Sequence, residues 1–282
     1  MICGKVPGEL FRYFDNIDSL IIIEKKTFSC HWFHIWFKIF FFLWDEVVDC
    51  RGSLLSLFLL TKKRYIHKKK KKRLHIVREI SETLGRRTLH PHVSLDTKKL
   101  DNSILRLVLK KKKKNQFIMI SPSANWIGKI WPQENFIQLL LKLVECRLWK
   151  NPIFIIVGKD DDPIKLDKLL KICKKKNLNL IGKCSLGEIF LIMKECKLFI
   201  GNDSGLMHLA AASSTPTIGL FGPSDSKTYG PWGEKTLSIL SPDSPEKLMG
   251  ASNFDPKKTG SLMNGLSVGK VFEETVKFYK SL

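Results

Sequence analysis

The sequence predicts an α/β protein in which strands and helices alternate around a parallel sheet. Three observations carry this. From about Lys110 onward, short, mostly apolar runs of strand length recur: QFIMIS (116–121), IFIIV (153–157), KLFIG (197–201) and TIGLF (217–221). The stretches between them have the period of helices. Repeated β-α units of this size mean a parallel sheet covered by helices on both faces. A chain of 282 residues with 44% apolar and 27% charged content has room for one large or two medium domains.

The first 105 residues are less regular. Asp18 to Ile23 and Glu46 to Asp49 read as short strands, each followed by helical sequence, and Arg73 to Val77 as a further strand. The most hydrophobic stretch is Trp32 to Trp44, WFHIWFKIFFFLW, which at 13 residues is too short to span a bilayer. His31, His34 and Lys38 would give it one narrow polar stripe. It reads as a mostly buried helix, with a helix lying in a membrane interface as the alternative. Thr88 to Lys114 is polar and charged and reads as an interdomain linker. Strand Gln116–Ser121 is followed by a polar loop, then a helix from Gln133 to Arg147. Strand Ile153–Val157 precedes a basic helix over Pro163–Lys176, and Leu178–Ile181 is a short strand. Leu186–Cys196 is helical, Lys197–Gly201 a strand, Leu206–Ala212 a small-residue helix, and Thr217–Phe221 a strand. Val268–Tyr279 forms a final helix. The expected domains are 1–108, 109–267 and a terminal helical segment 268–282.

The net charge is +21, with lysine runs at Lys68–Lys72 and Lys110–Lys114. Such a balance favours anionic partners, whether nucleic acid, a membrane surface or a phosphorylated substrate. A lysine-biased composition produces the same runs with no binding role. No aromatic-interleaved basic motif is present, which argues against nucleic acid. The seven cysteines (Cys3, Cys30, Cys50, Cys146, Cys173, Cys184 and Cys196) are odd in number and lack CxxC spacing. This argues against a disulfide framework or a zinc site and for a reducing compartment. The N-terminus lacks the basic-then-apolar pattern of a secretory signal.

Three segments carry candidate chemistry, each just after a predicted strand, where parallel sheets bind ligands. In the first, Ser121 to Pro132 (SPSANWIGKIWP), small and polar residues leave the backbone open and Lys129 follows as a point charge suited to phosphate. A lysine in such a place is also often merely solvated. In the second, Gly201 to Ala212 (GNDSGLMHLAAA), Asp203 or Ser204 is placed to cap a helix. Gly205 lets the backbone come close to a ligand, and the helix N-terminus offers N–H groups to a diphosphate. His208 lies one turn further on. Plain capping with a satisfied core histidine reads the same residues. In the third, Phe221 to Asp225 (FGPSD) continues to Tyr229–Gly233 (YGPWG), a loop that forms either a pocket rim or simple turns.

Taken in order, SANWIGKIWP, GNDSGLMHLAAA, LFGPSD and YGPWG resemble the heptosyltransferase family, glycosyltransferase family 9, over roughly residues 115–235. The resemblance implies a GT-B fold, two Rossmann-like domains with a cleft between them, the second binding a nucleotide-sugar donor. It implies transfer of heptose from ADP-heptose to the lipid A–core oligosaccharide of lipopolysaccharide, with inversion and without metal or other cofactor. It places the protein in the cytoplasm, peripheral to the inner face of the membrane, its basic surface meeting anionic acceptor and lipid. By position, Lys129 would hold donor phosphate, and Ala124 and Asn125 fall where relatives often have donor-contacting hydroxyl residues. Asp203, Ser204, Gly205 and His208 match the donor motif, Cys184 lines the base pocket, and Asp161, among Asp160 to Asp162, meets the ribose.

The front of the chain resembles the family from its second unit onward. VPGELFRYFDNIDSLI leads into a strand, and WDEVVDCRGS, residues 44–53, matches a later stretch. Relatives have roughly 40 to 50 residues before this point, holding a first strand and a turn with a catalytic aspartate, the general base. Nothing here matches it, and Asp45 and Asp49 fall on structural family positions. No catalytic residue is therefore assigned. The N-terminal domain is expected to be incomplete, and a truncated, catalytically silent nucleotide-binding protein is the alternative function.

Overall fold

The computed structural model describes residues 1–24, 30–68, 74–85, 93–112, 114–158, 167–172, 177–250 and 254–282. Asp161, Cys173, Lys69 to Lys72 and most of the helix expected over 163–176 lie outside the described residues. The chain divides into two compact units, Met1–Lys99 and Leu100–Leu282.

Unit 1 contains β1 (Ile2–Gly4), α1 (Lys5–Phe11), β2 (Ile21–Ile23), α2 (Cys30–Phe40), β3 (Trp44–Asp49), β4 (Thr61–Ile66) and α3 (Ile76–Thr83). Among the described residues its strands form two separate parallel pairs, β1 with β2 and β3 with β4. Ile35 and Ile39 of α2 join Leu59 in a small core, with Ile21, Ile23 and Val47 packed against it. This corrects the expectation of a mostly buried α2: Phe33, Phe37 and Phe41 are exposed. The helix is apolar nearly all round, and unit 1 covers one face of it. Of the strand expected over Arg73–Val77, Arg73 lies outside the described residues, and Ile76 and Val77 instead open α3, capped by His75, whose Nδ1 accepts from Val77 N. The strand lies earlier, in the polar sequence TKKRYI of β4, where main-chain pairing to β3 outweighs an unremarkable side-chain pattern.

Asp49 at the end of β3 organises the turn that follows. It accepts from Arg51 N (2.9 Å), Ser53 N (2.6 Å) and Ser53 Oγ (2.8 Å). Burial pushes its carboxyl up, but these hydrogen bonds outweigh burial and hold it below the usual carboxylate range.

Unit 2 opens with α4 (Ser103–Lys112), inside the stretch expected to be a linker. Val108 of this helix is buried, so the unit boundary falls at Lys99 rather than at residue 108. There follow β5 (Gln116–Ser121), α5 (Gln133–Glu145), β6 (Pro152–Ile156), α6 (Asp167–Ile172), β7 (Asn177–Asn179), α7 (Leu186–Lys194) and β8 (Leu198–Asn202). The unit continues with α8 (Gly205–Ala212), β9 (Thr217–Phe221), α9 (Ser226–Tyr229), β10 (Thr236–Leu240), α10 (Pro245–Met249) and α11 (Val268–Lys280).

All six strands are parallel, in the order β10-β9-β8-β5-β6-β7. Numbered from β5, this is the doubly wound order 3-2-1-4-5-6. The central strands are buried throughout, as sheets covered on both faces require. Helix α5 buries Phe136, Ile137, Leu139, Leu140 and Leu143 at helical spacing. Helix α7 starts with a capping box between Ser185 and Glu188. Helix α11 buries Val271 and belongs to this unit's core, together with Phe272 and Tyr279.

Candidate functional site

The strand order reverses between β5 and β8, and open α/β sheets bind ligands at the carboxyl ends of strands at such a point. Two of the candidate segments leave the sheet here. The first runs from Ser121 at the end of β5 through Ala124 and exposed Asn125 to a short 3-10 turn, Ile127–Lys129. The second runs from Asn202 at the end of β8 into α8.

The structure brings Lys129 and Asp203 together. Lys129 Nζ lies 2.7 Å from Asp203 Oδ2, with side-chain exposures of 25% and 7%. A buried carboxylate needs such a partner, and Lys129 retains an open side. The arrangement corrects the expected capping. Asp203 is bonded to Lys129, and Ser204 occupies the N-cap position of α8 without a side-chain cap bond. Its Oγ is buried and without a partner among the described residues. The N-terminus of α8 thus carries no side-chain acceptor, in contrast to α7, α9 and α11, which are all capped. His208 lies in the first turn of α8, half-buried and engaged by a neighbouring group.

The loop bearing Lys129 is fixed from several sides. Trp131 is fully buried, with Nε1 donating to Leu266 O at 2.8 Å. Trp126 Nε1 donates to Pro256 O at 2.7 Å, and Ser261 Oγ donates to Ile130 O at 2.5 Å. The sequence reading missed Asn202, the residue that joins the two halves of the site. Fully buried, it donates from Nδ2 to Pro122 O (2.8 Å) and accepts from Trp131 N at Oδ1 (3.1 Å). An asparagine in a run otherwise reading as buried strand was the signal, since strands disfavour that residue unless its amide is used.

Glycines separate packing from openness. A Cβ at Gly201 would come within 2.9 Å of Ser121, and one at Gly222 within 2.4 Å of Met263 Sδ, so both serve close packing. A Cβ at Gly205 would meet nothing within 4 Å. In the third segment Asp225 caps α9, accepting from Lys227 N and Thr228 Oγ1, which is the turn reading of that loop.

Cys184 lies between β7 and α7, half-buried. Burial, reinforced by the Glu188 carboxylate and opposed by Lys183, pushes its thiol up to about 11. It is therefore neutral near pH 7 and behaves as a small apolar side chain. Alkylation of Cys184 by iodoacetamide, followed by peptide mass spectrometry, is expected to quicken about tenfold per pH unit between about pH 8 and 10. A rate already level near pH 8 would contradict it.

The fold and these loops define a doubly wound α/β protein with a strand–helix junction at its switch point whose N-cap makes no side-chain cap bond. Residues 50–255 match the family model for glycosyltransferase family 9 (heptosyltransferase), and the chain belongs to that family. It is similar to lipopolysaccharide heptosyltransferase 3 of Escherichia coli K12, at 32% identity over 128 residues, 45% of this chain and 36% of that protein. The match thus spans little more than a third of that relative. Lipooligosaccharide heptosyltransferase 2 of Campylobacter jejuni 81116 is 27% identical over 96% of this chain and 86% of its own length. Among solved structures, a family 9 glycosyltransferase from Veillonella parvula superposes with a TM-score of 0.72 at 17% identity, covering 100% of this chain and 88% of its own. The E. coli ADP-heptose lipopolysaccharide heptosyltransferase II gives 0.70 at 18%, covering 99% and 88%. At these identities the likeness is one of fold, and the expected α/β class of GT-B type holds.

Proposed function

We propose that this chain binds ADP-heptose at the ends of β5 and β8 and transfers heptose to the lipopolysaccharide inner core, at the cytoplasmic face of the membrane. The supporting observation is the Lys129–Asp203 pair beside the uncapped N-terminus of α8. In an inverting transfer an acceptor hydroxyl attacks the anomeric carbon. The bond from that carbon to the diphosphate oxygen breaks, the hydroxyl proton passes to a base, and ADP departs. The charge gathering on ADP needs fixed positive partners. Lys129 and the first-turn N–H groups of α8 meet that need from the chain's own residues, which is the basis for a metal-independent reading. Ala124, Asn125, Cys184, Asp203, Ser204, Gly205, His208 and Asp161 complete the proposed donor set. The test is an assay with ADP-heptose and heptose-deficient lipopolysaccharide, reading ADP release and heptosylated product. Donor binding without product would reject transfer, and absence of donor binding would reject the whole reading.

A second reading, donor binding without transfer, is favoured by the carboxylates of β3. Asp45 is paired with Lys62 at 2.7 Å and Glu46 with Lys63 at 3.8 Å, and Asp49 is occupied by its turn, so none of the three offers itself as the base.

Gly205 separates binding from stability. Gly205→Ala is expected to leave unfolding unchanged or raise its free energy by up to about 1 kcal/mol, because alanine is the better helix former. ADP affinity measured by calorimetry should fall about tenfold, because the new methyl group occupies the face offered to the diphosphate. Unchanged affinity would remove Gly205 from the site.

A further inference from the structure

Helix α2 is apolar on two sides, and unit 1 covers one of them. Ile35 and Ile39 face the core. Opposite, Phe33, Phe37 and Phe41 follow one another at four-residue spacing and are 70%, 56% and 69% exposed. Their rings and Trp36 form a ladder: Phe33 to Trp36 at 5.8 Å and Phe37 to Phe41 at 5.3 Å. The turn after β3 extends the surface with exposed Leu57 and Phe58. Trp36 Nε1 donates to Phe58 O at 3.1 Å and ties the two together. Single exposed apolar residues are ordinary, but a contiguous aromatic face marks an interaction surface.

Charge selects the occupant. Lys38, exposed on α2 next to Phe37, has no carboxylate partner among the described residues, whereas Asp45 and Glu46 are paired with Lys62 and Lys63. The chain as a whole carries +21. A second copy would bring like charge to this face, and an anionic surface brings the opposite charge. With 11 residues the helix is too short to cross a bilayer. Aromatic side chains on a short helix that also carries Lys38, in a strongly basic chain, suit the headgroup boundary, in the membrane plane. We propose that this face of unit 1 docks on an anionic lipid bilayer. Phe33, Phe37 and Phe41 enter the headgroup boundary, and Lys38 meets lipid phosphates. The inference rests on the proposed function in one respect, that the acceptor is lipid-linked.

The test is flotation of the full chain with vesicles of phosphatidylcholine, with and without a minority of phosphatidylglycerol. The chain is expected to float with the anionic vesicles and much less with the neutral ones. Phe37→Glu/Phe41→Glu should lower the floated fraction about fivefold or more, while Phe37→Trp/Phe41→Trp should retain it. These side chains lie outside the core, and unchanged circular dichroism checks the fold of each variant. Equal flotation of the Glu variant and the parent would overturn the proposal. So would a dimer that does not float and that the Glu variant dissociates, which would assign the face to a second copy. ADP titration of the same preparations bears on the donor reading alone, so the two failures are distinguishable.

Discussion

Replacing Lys129 by alanine is expected to weaken ADP binding by about 10- to 100-fold, the equivalent of about 1.5 to 3 kcal/mol for a lost charge-assisted hydrogen bond. The same substitution leaves the Asp203 carboxylate, 7% exposed, without its cation. Stranding a fully buried charge costs about 3 to 5 kcal/mol, and the partly open setting of Lys129 reduces this to about 1 to 3 kcal/mol. One substitution thus has two effects, and a second separates them. Lys129→Ala/Asp203→Asn removes the stranded charge, so denaturant unfolding should recover toward the parent while ADP affinity stays low. Recovery of both would make Lys129 a structural partner of Asp203 and nothing more. An affinity unaffected by Lys129→Ala would remove it from the donor site.

Asn202→Leu is expected to destabilise unit 2 by about 2 to 5 kcal/mol, read as a shift in the urea midpoint. The substitution leaves Pro122 O and Trp131 N without the partner they have at 2.8 and 3.1 Å, and an orphaned buried polar group costs about 1 to 3 kcal/mol. Leucine brings no compensating fit, because the site was shaped for a planar amide. ADP affinity should fall as well, at urea concentrations where the unit is still folded, because the loop carrying Lys129 is held to β8 through this side chain. A stability loss below about 0.5 kcal/mol would show that the loop is held by Trp126, Trp131 and Ser261 without it.

What the sequence made legible follows from how directly local pattern encodes structure. Strands β5, β6, β8 and β9 are apolar runs with no competing reading, and β9 spans the residues expected of it, Thr217–Phe221, whereas β7 is the polar NLN and β10, TLSIL, lacks so plain a pattern. Lys129, Asp203 and Gly205 stand out in the sequence because they follow strands in a recognisable order. Their pairing was not legible, since nothing local brings residues 129 and 203 together. It depends on β5 and β8 being neighbours. Asn202 was missed for the same reason. In unit 1 the errors came from helices and strands whose burial is set by what lies against them. WFHIWFKIF reads as buried because it is apolar, yet among the described residues the core lies against its Ile35–Ile39 side and leaves Phe33 and Phe37 exposed. TKKRYI, basic at three of its six positions, carries no plain strand signal, yet β3 recruits it as a strand.

The strand order has a consequence for biosynthesis. Strand β5 is the first of unit 2 to leave the ribosome, and it lies at the centre of the finished sheet. Asn202 bonds to a carbonyl 80 positions earlier, so one long edge of β5 waits for that length of chain to be translated. An apolar strand with an open edge is the kind of segment that pairs with other nascent chains. The five lysines Lys110 to Lys114 lie just before it in the sequence. Charges flanking an unavoidable hydrophobic strand act as gatekeepers against such pairing. That edge of β5 is covered only when β8 arrives.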